Sequence, residues 1–355
     1  MMRALFVMLL ASGPWLASPV SAQWVRQPTA GIPRTADGKP DLTAPSPRTA
    51  DGRPDLTGLW QLGIEIGYAA NITADLARGD IQPWARELSL KRLGDFGKDD
   101  PEITGCIPGG PRHITRGGLS KIIQTPSVIV ILFEDLSYRQ IFLDGRELPR
   151  DPNPSWMGYS IGRWEADTLV VTTAGFNDRT WLDFAGHPHS EMLRMTERFT
   201  RRDFGRLDLQ VTLDDPSVYA KPITLDAGGR LVADTELIEY VCENEKDRAH
   251  LVGRTSDEKA VVVSRDVLAS YVGVYEVRSV SIAAGARQVF TVTFDGDQLL
   301  LDMRGKGKVP MIPLSQTLFS PRLLGTYEFV KDGSGRVTHM LVHSAEEVLT
   351  AVRRP

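Results

Sequence analysis

Between residues 127 and 241 the chain consists of short segments rich in β-branched and aromatic residues, separated by turn residues. These segments span residues 127–134, 138–143, 158–162, 168–173, 193–202, 206–213 and 236–241. No amphipathic helical pattern lies between them, which argues against the strand and helix alternation of a parallel α/β sheet. The pattern predicts an all-β main domain, built as an antiparallel barrel or sandwich.

The helical signal is confined to the start of this domain, where one or two short helices are expected. Residues 81–93 begin with Pro83 near the first helical position and are followed by Gly94. A charged stretch at 243–259 then interrupts the β pattern, and strands resume over residues 289–343 with two hairpin turns. We therefore divide the chain into a main β domain (58–252), a linker (253–265) and a smaller β-barrel domain (266–355).

Residues 1–22 have the composition of an export signal, because Arg3 precedes a short apolar stretch and small residues precede Gln23. The stretch is too short to span a bilayer, so we predict a periplasmic or extracellular protein without membrane insertion. The net charge of −4 supplies no strongly basic face for nucleic acid. A small molecule is therefore the expected partner, and no motif identifies a cofactor or an oligomeric state.

A duplication follows the export signal. PRTADGKPDLT at residues 33–43 recurs as PRTADGRPDLT at residues 47–57, an offset of 14 positions. Proline, glycine, aspartate and threonine dominate both copies, and such a composition is typical of an extended linker. We predict a linker over residues 23–57, with a docking peptide as the alternative.

The motifs of residues 33–252 carry a resemblance to a known family. PRTADGRPDLTGLW, KIIQTPSVIVILFE and GYSIGRWEADTLVVTTAGFNDRTWLDFAGHPHS resemble a family of secreted proteins abundant in soil bacteria such as Acidobacteria. That resemblance implies export and supplies no catalytic residues. YVGVYE at 271–276 and the meander after it are similar to the small lipocalin-like domain appended to some β-lactamase-like and peptidase proteins. This second resemblance implies an accessory role for the C-terminal domain.

The richest concentration of chemically active side chains lies in residues 175–191. His187 and His189 share a face if this segment is extended, and Glu191 or Asp183 is a candidate third metal ligand. Asp183 with either histidine is a candidate acid–base pair. A third interpretation is a loop pinned over a barrel mouth by its own hydrogen bonds, and the spacing alone does not choose among the three.

The alternation of apolar and polar residues along one strand predicts an acid in the barrel interior. Along residues 193–199 the apolar side chains alternate, and Glu197 falls on their face. A buried carboxylate needs a partner, and Arg139 is a compatible one, either in a structural salt bridge or lining a pocket. The candidate ligand-binding residues are Glu134, Tyr138, Arg139, Asn177, Asp178 and Trp181.

The two cysteines, Cys106 and Cys242, are predicted to form a disulfide, because an exported protein meets an oxidising compartment. The alternative is a buried free thiol at Cys242.

Two functions fit these observations. The first is binding of a small organic molecule in a polar-lined β-barrel pocket, since small barrels commonly enclose one ligand. The second is a hydrolase or lyase that uses Asp183, His187 and His189 with Glu197 as an interior acid, either with or without a metal. The sequence favours binding slightly, because no complete set of nucleophile, base and orienting group is visible.

Overall fold

The computed structural model describes residues 28–64, 66–95, 97–113, 118–237, 239, 260–277, 289–303, 308–321, 325–343 and 348–354. Within these ranges the chain forms two closed β-barrels, one of nine strands and one of eight. The predicted all-β class, with a main domain and a smaller barrel after it, is therefore confirmed, and the main domain is a barrel and not a sandwich. Of the helices that the structure describes, none is long and apolar enough to cross a membrane.

Each strand of the main barrel pairs with the next along the chain, and β9 pairs with β1 to close the circle. All neighbours are antiparallel except β4 and β5, which are parallel. The strands are β1 (Gly58–Ile64), β2 (Gly118–Gln124), β3 (Val128–Phe133), β4 (Tyr138–Phe142), β5 (Tyr159–Glu165), β6 (Thr168–Ala174), β7 (Arg194–Arg201), β8 (Arg206–Asp214) and β9 (Ile223–Leu231).

Strict alternation along the strands explains why they close around one core. In β8 the side chains of Leu207, Leu209, Val211 and Leu213 are buried, while the residues between them are not. Because successive side chains of a strand point to opposite faces, this pattern sends one row into the barrel. Apolar side chains from all around the circle, including Trp60 and Ile141, pack there into one cluster.

The last strand of the main barrel is not the predicted one. We expected the last strand over residues 236–241, half of which lie outside the described residues, whereas β9 spans Ile223–Leu231. Its sequence signal is weak because Gly228 and Gly229 occupy its centre. Glycine at 229 leaves room for Leu62 on β1, since a Cβ atom there would lie 2.7 Å from the Leu62 Cδ2 atom and that side chain would have to move.

The duplicated segment is folded, contrary to the linker prediction. Each copy forms the same compact turn, closed by an antiparallel bridge between Arg34 and Pro40 or between Arg48 and Pro54. Each arginine also makes a two-pronged ion pair with the barrel end, Arg34 with Asp234 and Arg48 with Asp167. Internal hydrogen bonds satisfy the polar backbone of each turn, so a sequence poor in apolar residues can pack against the barrel.

The two copies contribute one leucine each to the barrel end. Leu42 is half-buried, and its carbonyl oxygen accepts a hydrogen bond from the Gly205 N–H in the β7–β8 turn. Leu56, at the equivalent position of the second copy, is 1% exposed and belongs to the main core cluster. Arg201 lies beside it, stacked over Trp60 and Phe204 and bonded to backbone carbonyls of Asp55 and Phe204.

Short helices and long loops cover the opposite end of the barrel. Helix α1 (Ile66–Ala70) follows β1, and α2 (Pro83–Gly94) confirms the helix predicted near residues 81–93. Helix α3 (Pro101–Gly105) begins at Asp100, whose side chain accepts a hydrogen bond from the Glu102 N–H. Residues 175–193, which carry the predicted site, connect β6 to β7 at this same end.

The small barrel follows helix α4 (Arg265–Ser270). Its eight strands are β10 (Gly273–Val277), β11 (Val289–Asp295), β12 (Gln298–Met303), β13 (Lys308–Pro313), β14 (Leu318–Ser320), β15 (Thr326–Lys331), β16 (Val337–His343) and β17 (Val348–Arg353). Aromatic side chains fill its interior, with Tyr271 stacked on Phe329 at a centroid distance of 4.3 Å. The hairpin predicted at residues 295–297 is present between β11 and β12.

Three predictions involve residues outside the described ranges. They are the export signal at residues 1–22, most of the linker at 253–265, and Cys242 of the predicted disulfide. Cys106 lies just after α3, with a left-handed backbone at φ 49°. The Cys106–Cys242 bridge therefore stays a prediction.

The equivalent leucines of the duplication allow a matched test of its folding. We expect Leu56→Ala to lower the free energy of unfolding by about 3 kcal/mol, because it leaves a cavity in the main core. Leu42→Ala should cost less, about 1 kcal/mol, because that side chain is only half-buried. Urea denaturation of both variants measures the difference. Equal, negligible losses would mean that the duplicated segment does not pack on the barrel.

Candidate functional site

The interior of the main barrel contains one buried ion pair. Arg139 on β4 and Glu197 on β7 are 2% and 0% exposed, and two hydrogen bonds join them, one of them at 2.9 Å. Arg139 also donates to the Ser160 hydroxyl at 3.0 Å and to the Thr173 hydroxyl at 2.7 Å. This arrangement confirms the pairing predicted from strand polarity. The guanidinium and the carboxylate bond each other, and the guanidinium also bonds two hydroxyls, which is the structural salt bridge of the two predicted alternatives.

The other candidate ligand-binding residues make contacts with their own neighbours. Tyr138 is 57% exposed, and Asp178 is also at the surface. The Glu134 carboxylate accepts a hydrogen bond from the Leu119 N–H, and the Asn177 amide oxygen accepts one from the Arg179 N–H. Their part in ligand binding stays a prediction.

Trp181 is buried beneath the Arg92 guanidinium, which lies 4.6 Å from the centre of its ring. It borders a surface cleft of about 350 Å³, together with Arg179 and side chains of α2 and the turn after it. That cleft mixes cationic residues with Asp95 and Asp99.

Asp183 and His187, one of the two candidate acid–base pairs, are in direct contact. The His187 Nδ1 atom lies 2.5 Å from the Asp183 carboxylate, and the His187 backbone N–H donates to the same carboxylate at 3.0 Å. A third donor, the Ile72 N–H, comes from the segment after α1 at 2.7 Å. Because a carboxylate only accepts, Nδ1 carries a proton in this contact.

The partner of His187 Nε2 is Thr73, a residue that the sequence analysis missed. Its Oγ1 atom lies 3.0 Å from Nε2 and donates a hydrogen bond to the Asn71 amide oxygen, also at 3.0 Å. Thr73, His187 and Asp183 thus form a continuous chain of a hydroxyl, an imidazole and a carboxylate. All three side chains are at least nine-tenths buried.

Two opposing effects set the protonation of Asp183. Burial acts to raise the pKa of its carboxyl, but attraction to His187 and the hydrogen bonds from His187 and Ile72 outweigh burial. The net result is a pKa below the ordinary value of 3.8. Asp183 is therefore ionised at neutral pH and holds the proton of His187 on Nδ1.

His189 has a different environment, although it is only two residues away. Its Nε2 atom bonds the Thr180 hydroxyl at 2.7 Å, and its ring meets Phe176 edge-on. Burial lowers the pKa of its imidazole to about 4. His189 is therefore a neutral core residue that stabilises the loop.

The three predicted metal ligands do not converge. His187 faces Thr73, His189 faces Thr180, and Glu191 is exposed. Within the described ranges, no three His, Cys, Asp or Glu side chains lie close enough together to hold a metal ion. Glu197, the predicted interior acid, is bonded to Arg139 and is not part of the Asp183–His187 contact.

Thr73 and His187 line a cavity of about 110 Å³ between the two barrels. The small barrel reaches it through β13, where the Lys308 carbonyl accepts a hydrogen bond from the Asn71 amide at 2.6 Å. Beside the cavity, Leu93, Ala185 and Ile312 form a small buried apolar cluster shared by the two barrels. The hydroxyl, imidazole and carboxylate chain therefore ends at a cavity that neither barrel forms alone.

No sequence signal identifies Thr73 or Asn71 as site residues, because Thr73 is 114 positions from His187 and lies in no motif. The chain matches no protein-family model, and no curated protein is detectably similar to it.

The interior ion pair predicts a specific pattern of stabilities. Arg139→Met should lower the free energy of unfolding by about 3 to 5 kcal/mol, because it leaves Glu197 buried without its charge partner. Arg139→Met combined with Glu197→Leu should recover most of that loss. Arg198→Met is the matched control on β7, since its surface pair with Glu165 is worth about 1 kcal/mol or less. A free energy of unfolding of the double variant that is no higher than that of Arg139→Met would contradict this account.

Burial of His189 predicts a dependence of stability on pH. The pKa of the His189 imidazole is 6.5 in the unfolded chain and about 4 in the fold. Below pH 6.5 the unfolded chain therefore binds a proton that the native state does not bind. Stability contributed by the neutral ring is therefore complete above pH 6.5 and is lost as the pH falls towards 4. Between pH 7 and pH 4.5 wild type should lose about 2 kcal/mol more than His189→Gln. Urea denaturation across this range is the measurement, and parallel curves would contradict the prediction.

Proposed function

We propose that the protein is a hydrolase that transfers a small acyl group from an ester to Thr73 and then to water. The observation that carries this proposal is the chain of Thr73 Oγ1, His187 Nε2 and Asp183 opening on the cavity between the barrels. A hydroxyl bonded to an imidazole that a carboxylate orients is the arrangement of nucleophile, base and orienting group used in acyl transfer.

In the first half of the reaction, Thr73 Oγ1 forms a bond to the ester carbonyl carbon. Its proton passes to His187 Nε2, and Asp183 stabilises the resulting imidazolium through Nδ1–H. The tetrahedral intermediate then breaks the bond to the alcohol oxygen, which takes the proton from Nε2. The products of this half are a free alcohol and an acyl group on Thr73.

In the second half, a water molecule attacks the acyl carbon and gives its proton to Nε2. The bond to Thr73 Oγ1 breaks, and the proton returns to that oxygen as the carboxylic acid leaves. One ester and one water thus yield one acid and one alcohol, with the protein unchanged. Before attack, the hydroxyl proton that Thr73 donates to the Asn71 amide oxygen turns to Nε2, and the Asn71 amide acts as a positioning group for the hydroxyl.

The size of the cavity limits the acyl group. A dry cavity of about 150 Å³ holds benzene, so 110 Å³ accommodates an acyl group of about five non-hydrogen atoms. The interior of the main barrel is filled by its apolar cluster and by the Arg139–Glu197 pair. Ligand binding inside that barrel, the function favoured by the sequence, therefore has less support than chemistry at the junction.

We also propose that this reaction takes place outside the cytoplasm. The support is the export-signal pattern of residues 1–22 and the resemblance to secreted proteins of soil bacteria. A disulfide between Cys106 and Cys242 would be compatible with that compartment.

Variants of two matched threonine and histidine pairs test the proposal. Thr73→Ala and His187→Gln should each lower kcat for 4-nitrophenyl acetate on the order of 10³-fold, whereas Thr73→Ser should keep most of it. Thr180→Ala and His189→Gln remove an equally buried pair away from the cavity and should leave kcat within about threefold. All variants are first compared by circular dichroism, so that loss of fold is separated from loss of chemistry.

Mass spectrometry of the protein quenched during turnover provides the second measurement. We expect an acetyl group on the peptide that contains Thr73, and more of it in Asp183→Asn if water attack is slowed. Full activity in Thr73→Ala would overturn the nucleophile, and full activity in His187→Gln would overturn the site.

A further inference from the structure

Three cationic side chains line the cavity between the barrels, against one carboxylate, that of Asp295. They are Arg78 in the turn before α2, Arg86 on α2, and Lys308 on β13. Within the described ranges none of the three lies within ion-pair distance of an acidic side chain. This sets them apart from Arg34, Arg48 and Arg146, each of which pairs with an aspartate.

The three positive charges come from three separate elements. Arg86 is half-buried, whereas Arg78 and Lys308 are exposed, so the charges lie towards the mouth of the cavity while Thr73 and His187 form its buried end. Cations with no acidic partner in a recess focus a positive potential there and attract an anion. Arginine in addition presents paired N–H donors that match carboxylate and phosphate oxygens.

We propose that the substrate of this site is an anionic ester, whose carboxylate or phosphate group is held by Arg78, Arg86 and Lys308. This inference rests on the proposed hydrolase function and adds the class of substrate. The anionic group remains at the mouth, and the ester carbonyl reaches Thr73 Oγ1 at the buried end.

The same placement assigns a role to the small barrel. It contributes Lys308 to the mouth, and the Lys308 carbonyl bonds the amide of Asn71, whose oxygen contacts Thr73. The Asp295–Gly296 turn lies close to Arg78, since a Cβ atom on Gly296 would be 2.9 Å from the Arg78 Nη1 atom. The small barrel therefore completes the binding site for the anionic group.

The first test compares a neutral ester with a charged one. Mono-4-nitrophenyl succinate carries a carboxylate that 4-nitrophenyl acetate lacks, and wild type should hydrolyse it with a kcat/KM about tenfold higher. Arg86→Gln and Lys308→Gln should remove that preference mainly through KM. Lys91→Gln, which removes one charge from the far part of the same helix, is the control and should keep the preference.

The second test measures binding without catalysis. Calorimetric titration of full-length Thr73→Ala with inorganic phosphate and, separately, with succinate should show binding that weakens with salt and is lost on adding Arg86→Gln. The stronger of the two probes identifies the anion class. Absence of binding by both probes, or equal rates for the two esters, would overturn the anionic substrate.

These two tests separate this inference from the proposed function. Anion binding that disappears with Arg86→Gln, in a protein that hydrolyses neither ester, would support the anion site and overturn the hydrolase. Hydrolysis that requires Thr73 but proceeds equally well with the charged and the neutral ester would support the hydrolase and overturn the anion site.

Discussion

The fully buried carboxylate of Asp183 holds the candidate site together. It accepts hydrogen bonds from the backbone N–H groups of Ile72 and His187, and it contacts the His187 ring. A carboxylate this far from water is tolerated only when its acceptor positions are filled. The segment after α1 and the loop before β7 must therefore dock on each other for Asp183 to be buried at all. Thr73 is adjacent to Ile72 in the chain, so its contact with His187 is a geometric consequence of that docking.

The main domain contains another buried ion pair, and its hydrogen bonds are arranged differently. Glu197 and Arg139 face each other inside the barrel, and the guanidinium donates its remaining bonds to Ser160 and Thr173. No residue of that network lines either of the two cavities described above, and its charged groups bond one another and two hydroxyls, which stabilises the fold. His187 differs because its Nε2 atom bonds a hydroxyl at a cavity wall. Burial of a charged pair alone therefore does not identify a candidate site. The distinguishing feature here is that His187 Nε2 contacts a hydroxyl at a cavity wall.

The features that the sequence predicted are those that depend on short-range patterns, such as the alternation of residues along one strand. Alternation along β7 placed Glu197 inside, and barrel closure then brought Arg139 opposite it. Asp183 and His187 are four positions apart in one loop, so their pairing was also foreseeable. Thr73 was not, because it meets His187 only through the docking of two distant segments. The duplicated turns were missed for a related reason: their stability comes from internal hydrogen bonds and ion pairs with the barrel end, which composition does not record.

The position of the site between the barrels follows from how each barrel is stabilised. Both interiors are filled by side chains, and a barrel of eight or nine strands that gave up this packing for a ligand would lose core contacts. At the junction, the apolar cluster that the described residues share between the barrels is small, consisting of Leu93, Ala185 and Ile312. The cavity beside that cluster has a mixed lining, which includes Thr73 and His187 from the main barrel and Lys308 from the small one. A polar-lined cavity can therefore form at the junction without removing side chains from either core.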